Sequence, residues 1–127
     1  MCGIVGLFLK DASLERKLGE LLSEMMITMS DRGPDSAGIA VYGNRQPDLL
    51  KLTFQSSAPD QDFDGLDNLI SERIGSAVTM ERRDTHAVLS VASDLLPKVQ
   101  GALDDLRPSI RLMSTGESIE IYKEVGH

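Results

Sequence analysis

Residues 2–9, CGIVGLFL, are apolar or glycine without interruption until Lys10-Asp11. A run this short, with Gly3 and Gly6 inside it, predicts a buried strand closely approached by neighbouring backbone. Leu14, Leu18, Leu21, Leu22, Met25, Met26 and Met29 then recur at helical spacing, with Glu15, Arg16, Lys17, Glu20 and Glu24 on the opposite face. Ser13 is the expected N-cap, Glu15 suits the positive helix end, and Gly33-Pro34 should stop the helix. Strand patterns follow over 37–42 and 49–55, separated by the turn GNRQPD. Residues 56–84 are polar and mixed, with a helical candidate over 64–74 and the charged stretch MERRD. HAVLSVA predicts a strand from His86. Ser93 is the expected cap of a helix carrying Leu95, Leu96, Val99, Leu103 and Leu106, with Pro97 in its first turn. SIRLMS and SIEIYKE, joined by TGE, predict a hairpin. The order of strands and helices implies a layered α+β protein. The last predicted strand runs almost to the final residue with no element to close it, and the natural chain is expected to continue.

Composition narrows the functional classes. A chain of 127 residues fits one domain, and 41% hydrophobic with 26% charged residues is ordinary globular usage. A net charge of -7 argues against a nucleic-acid or anionic-membrane surface. No apolar run approaches the roughly 20 residues of a membrane span, and no basic segment precedes the first apolar run as a secretory signal would require. The single cysteine suits a reducing compartment, so the expected location is cytoplasmic.

That cysteine stands directly behind the initiator Met1. Removal of Met1 would give Cys2 both a thiol and a free α-amine. A thiol with a reference pKa of about 8.5 needs a base to attack acyl carbon at neutral pH, and an amine with pKa near 8 supplies one from the same residue. The two histidines, His86 and His127, occupy no evident catalytic setting. Taken alone, Cys2 reads first as a small packed strand residue, since free cysteines are usually buried and inert. In DRGPDSAG (31–38), Gly33, Pro34 and Asp35 read as a helix stop and turn. Arg32, between helix and turn, is either a solvated charge or a partner for an anionic ligand.

MCGIVGLF, the long amphipathic helix, and RGPDSAGIAV together resemble the start of the class II, N-terminal-nucleophile glutamine amidotransferases. That family includes the glutaminase domains of asparagine synthetase, glutamate synthase, amidophosphoribosyltransferase and glucosamine-phosphate synthase. The resemblance is tight over residues 1–43 and loose beyond, with a family-specific insertion expected within 56–127. LFLKD and GESIEIYKEVG look most like the stand-alone amidotransferase subunits of glutamate-synthase-like and N-methylglutamate-synthase-like systems. The resemblance implies an Ntn-hydrolase αββα four-layer sandwich, here an incomplete N-terminal portion. It implies glutamine as substrate, Cys2 as nucleophile through a γ-glutamyl thioester, and Arg32 beside the glutamine pocket. It also implies a synthase partner that accepts the ammonia. No cofactor or metal is expected.

The departures from the family matter equally. Its carboxylate-binding His-Thr-Arg segment has no counterpart, since Thr85-His86 is in the wrong order with no Arg behind it. Its oxyanion Asn-Gly pair is missing too: Asn44 precedes Arg45, and Asn68 precedes Leu69. Loss of one oxyanion donor costs on the order of a hundredfold in rate, so these 127 residues alone are expected to be inactive. The alternative is a non-catalytic regulatory or interaction domain on the same scaffold. Asp60, Asp62, Asp64 and Gly65 follow the spacing of a calcium loop, but Ser71 stands where a bidentate Glu is needed. Asp62 or Asp64 capping the next helix is the better reading. Arg82-Arg83 is expected as an exposed pair at a turn, and His86 as the start of a strand.

Overall fold

The computed structural model describes residues 2–126. The chain divides into two compact units, one of residues up to Ala37 together with those from Glu124 onward, the other Gly38–Lys123.

In the smaller unit the predicted long helix is divided. A 3-10 segment, Ala12–Lys17, leads into α1 (Leu18–Ile27), and a second 3-10 turn covers Ser30–Arg32. The cap is Asp11 rather than Ser13: its carboxylate accepts from Ser13 N–H at 2.9 Å. Hydrogen bonding from Ser13 holds that carboxyl below the usual range. Residues 2–9 do not form the expected strand. They lie outside every regular element, and Cys2, Ile4 and Phe8 are exposed. A strand is stable only with its main-chain groups paired, and among the described residues nothing pairs with this segment.

The larger unit is built around an antiparallel sheet of β2 (Leu49–Gln55), β3 (Thr79–Arg83), β4 (His86–Ala92) and β5 (Arg111–Gly116), ordered β3-β4-β2-β5. The bounds of β2 and β4 follow the apolar pattern of the sequence. β3 lies within the charged stretch read as a turn, so Arg82 and Arg83 are on an edge strand, where charge is favoured. On one face, Leu52, Phe54, Ala87, Leu89 and Val91 form the core with helix α3 (Leu66–Ile74) and helix α4 (Leu96–Leu106). Leu66, Ile70 and Ile74, spaced four apart, give α3 one continuous buried stripe. Phe63, just after the short helix α2 (Pro59–Asp62), meets Phe54 edge-on with ring centroids 5.6 Å apart.

Two expected caps are absent. α3 begins behind Gly65 in left-handed conformation, without a side-chain cap from Asp62 or Asp64. Ser93 belongs to a 3-10 turn, Ser93–Leu95, that precedes α4, and makes no cap bond.

The expected hairpin over 109–124 does not form. β5 joins β2, whereas β6 (Ile119–Val125) pairs with β1 (Ser36–Tyr42) in a second sheet. Bonds from Gly43 N to Ser118 O and from Gly126 N to Asp35 O make that pair antiparallel. β6 crosses the sheet face opposite the helices. The larger unit therefore stacks helices, a four-stranded sheet and a β1–β6 ribbon.

Candidate functional site

The main chain beside Cys2 lies against the turn that carries Arg32. A Cβ added at Gly3 would collide with Met29 Cε and stand 3.6 Å from Arg32 Cβ. Met29 Cε is the far end of a flexible side chain and can move aside, and 3.6 Å is ordinary van der Waals contact, so these distances record proximity between the amino-terminal segment and the turn. The turn is closed by Arg32 N–H to Met29 O at 3.0 Å and Gly33 N–H to Ser30 O at 3.3 Å. Its continuation is held by Gly126 N–H on Asp35 O at 2.9 Å. The two candidate residues, remote in sequence, therefore sit on neighbouring stretches of backbone.

Both are accessible. The Cys2 thiol is free and exposed, and Arg32 is exposed. Among the described residues the Arg32 guanidinium makes no ion pair or side-chain hydrogen bond, so its donors remain available to an anion. Met1 and His127 lie outside the described residues. While Met1 is attached, the Cys2 nitrogen is an amide and cannot serve as a base.

A second polar group, which the sequence reading missed, lies between the sheet and β6. Lys51 Nζ donates to Glu120 Oε1 at 2.9 Å, and Tyr122 Oη donates to Glu120 Oε2 at 2.5 Å. Burial pushes the Glu120 carboxyl upward, but the Tyr122 hydrogen bond and the bond and charge of Lys51 outweigh it and hold it below its ordinary range. Desolvation, with the hydrogen bond and charge of Glu120, pushes the Tyr122 phenol up to about 12. Tyr122 also packs edge-on against the buried His86, with centroids 5.3 Å apart.

His86 and Gln55 are direct cross-strand partners. His86 Nε2 accepts from Lys123 N–H at 3.1 Å, and Gln55 Nε2 donates to Lys123 O at 3.0 Å. Two side chains thereby imitate the edge of a strand. Ser114 Oγ does the same for Ile121 N–H at 3.1 Å. Alternation in LLKLTFQ, which sets Lys51, Thr53 and Gln55 opposite Leu50, Leu52 and Phe54, was the available signal. A cavity of about 330 Å³ opens beside the Lys51–Glu120 pair, between Thr79, Val88 and Ser90. It holds neither Cys2 nor Arg32.

Two aspartates of the calcium-like stretch, Asp60 and Asp62, are engaged within the fold. Asp62 accepts from Ser56 and Ser109 hydroxyls, and Asp60 pairs with Arg82, whose guanidinium lies over the Phe63 ring. Among the described residues, no group of three or more His, Cys, Asp or Glu side chains is placed to hold a metal. No helix among them is long and apolar enough to cross a membrane.

The chain is similar to a glutamine amidotransferase-like protein, GlxB, of Rhizobium meliloti (strain 1021). Identity is 51% over 126 residues, covering 99% of this chain and 42% of the relative. It is also similar to a Methanothermobacter thermautotrophicus protein provisionally named a glutamine amidotransferase, at 29% identity over 140 aligned positions, 99% of this chain and 44% of the relative. The chain thus spans less than half the length of either. No description of a known protein family matches it, and no solved structure matches it.

Proposed function

We propose that this chain carries the nucleophile of a class II glutamine amidotransferase. The observation that carries the reading is its 51% identity, sustained over 126 residues, to a protein named glutamine amidotransferase-like. Gly3 packed on Met29 and Arg32 supports the pairing of Cys2 with Arg32 in one site. The helix–sheet–ribbon layering of the larger unit is consistent with part of an αββα Ntn-hydrolase sandwich.

In this reading Met1 is removed, and the freed α-amine of Cys2 takes the thiol proton through a water. The thiolate attacks the side-chain amide carbon of glutamine. The C–N bond breaks, the leaving nitrogen regains a proton from the ammonium form of the amine, and ammonia departs. Water then cleaves the γ-glutamyl thioester to glutamate and regenerates the thiol. Arg32 lines the glutamine pocket, and the ammonia passes to a synthase partner in the cytoplasm. Groups that bind the substrate carboxylate and the oxyanion come from protein outside this sequence. One observation favours a non-catalytic scaffold as the second reading: the sequence has neither a His-Thr-Arg segment nor an Asn-Gly pair.

The test uses the protein as the cell makes it. Intact mass should show Cys2 at the amino terminus, and a diazo-ketone glutamine analogue should label Cys2 and abolish ammonia release. Quantitative retention of Met1, or ammonia release unchanged by Cys2→Ala, refutes the mechanism. Absence of both labelling and turnover, with the synthase present, establishes the scaffold reading.

A further inference from the structure

On the sheet face opposite the helices, Lys51, Ser90 and Thr79 stand side by side. Lys51 is the cross-strand partner of Ser90 between β2 and β4, and Ser90 that of Thr79 between β4 and β3. All three line the cavity of about 330 Å³, together with Val88 and the carboxylates of Glu81 and Glu120. Much of their bonding capacity is unused. Among the described residues, Lys51 Nζ has one partner, Glu120 Oε1, which leaves two N–H donors over. The Ser90 and Thr79 hydroxyls have no partner among the described residues. The side chains of Lys51 and Glu120 are only 21% and 17% exposed, so a charged ligand there is held more strongly than on an open surface.

Sign and spacing indicate the ligand. Lys51 and Glu120 hold opposite charges 2.9 Å apart, which suits a molecule carrying carboxylate and ammonium on one carbon. An inorganic dianion would face two carboxylates, Glu81 and Glu120, with one ammonium to offset them. A simple amine would leave the Lys51 donors unpaired. At ~30 Å³ for each water of the liquid, the cavity has room for about ten waters, or for one small amino acid. We propose that this cavity binds a free α-amino acid. Its carboxylate accepts from Lys51 Nζ and from the Ser90 and Thr79 hydroxyls, and its ammonium donates to Glu120, whose oxygens keep lone pairs beyond those taken by Lys51 and Tyr122. Neither Cys2 nor Arg32 lines the cavity, so the site goes beyond the glutaminase reading and does not depend on it.

The experiment titrates the complete protein with L-alanine, acetate and methylammonium, and follows the amide resonances of Lys51, Thr79 and Ser90. L-alanine should shift all three and saturate, with a dissociation constant of about 1 mM or tighter. Acetate and methylammonium, which each carry half of the head group, should bind at least about tenfold more weakly. Lys51→Met should weaken L-alanine binding at least about tenfold. Ser90→Ala, which keeps the Lys51–Glu120 pair, should weaken it about fivefold, and unchanged hydrogen exchange in β2 and β4 would show that both variants remain folded. No saturable shift at about 10 mM L-alanine overturns the proposal and leaves a cavity filled by water. Acetate or methylammonium binding as tightly as L-alanine overturns it in favour of a simple ion site. L-alanine affinity unchanged in both variants overturns it equally.

Discussion

Tyr122 should make the fold sensitive to alkali. Its hydroxyl donates to Glu120, which Lys51 also engages, and the folded environment moves its titration from 10.0 to about 12. A phenol that ionises later in the folded than in the unfolded chain stabilises the fold fully below pH 10. That contribution is lost as pH rises from 10 towards 12. At ~1.4 kcal/mol per pH unit the ceiling is roughly 3 kcal/mol. Tyr122 is only half-buried, and solvent screening reduces the figure to about 1 kcal/mol. Urea unfolding of the parent and Tyr122→Phe at pH 8 and pH 11 measures it. The parent should lead by about 1 kcal/mol at pH 8, and the lead should fall to roughly half of that at pH 11, midway through the window from 10 to about 12. Because Tyr42 is the only other tyrosine, phenolate absorbance in Tyr42→Phe follows Tyr122 directly. A stability gap that stays constant between the two pH values, or an absorbance midpoint near 10, would refute the reasoning.

Three further outcomes are expected. His86→Phe keeps the ring beside Tyr122 but removes the acceptor of Lys123 N–H, and should cost about 1–3 kcal/mol in urea unfolding; a loss below about 0.5 kcal/mol would mean water replaces the imidazole. Thr53 Oγ1 is buried without a partner, so Thr53→Val should raise stability by about 1 kcal/mol, and a lower melting temperature would reveal a bond to the hydroxyl. Arg32→Ala in the complete protein should impair glutamine-dependent synthesis at least about tenfold while sparing synthesis from free ammonia; equal loss of both would assign Arg32 a structural role.

Elements with local signals were legible in the sequence. β2 and β4 follow apolar runs bounded by polar residues, and the Leu66, Ile70, Ile74 stripe marks α3. Pairing was not legible, because it depends on residues far away. SIRLMS-TGE-SIEIYKE has the local pattern of a hairpin, yet its halves join strands remote in the chain. β3 was concealed because Glu81, Arg82 and Arg83 lie on an edge strand that tolerates charge. The apolar run at 2–9 expresses strand preference without a sheet to satisfy it. At the candidate site, Cys2 and Arg32 were legible as residue types, but their proximity was not, because it depends on how the segment at Gly3 lies against Met29 and Arg32. Glu120, Tyr122 and His86 were missed because each is unremarkable until β6 is laid across the sheet.

The grip of Gln55 and His86 on Lys123 bears on which sequences can share this architecture. Both bonds end on main-chain atoms, so the contact is indifferent to the side chain at position 123. Nearly every residue type is admissible there, and proline is the exception because it removes the donated N–H. Constraint falls instead on the two gripping positions, which must keep a donor and an acceptor side by side. Among descendants of this chain, 123 should drift freely while 55 and 86 change rarely, and then together.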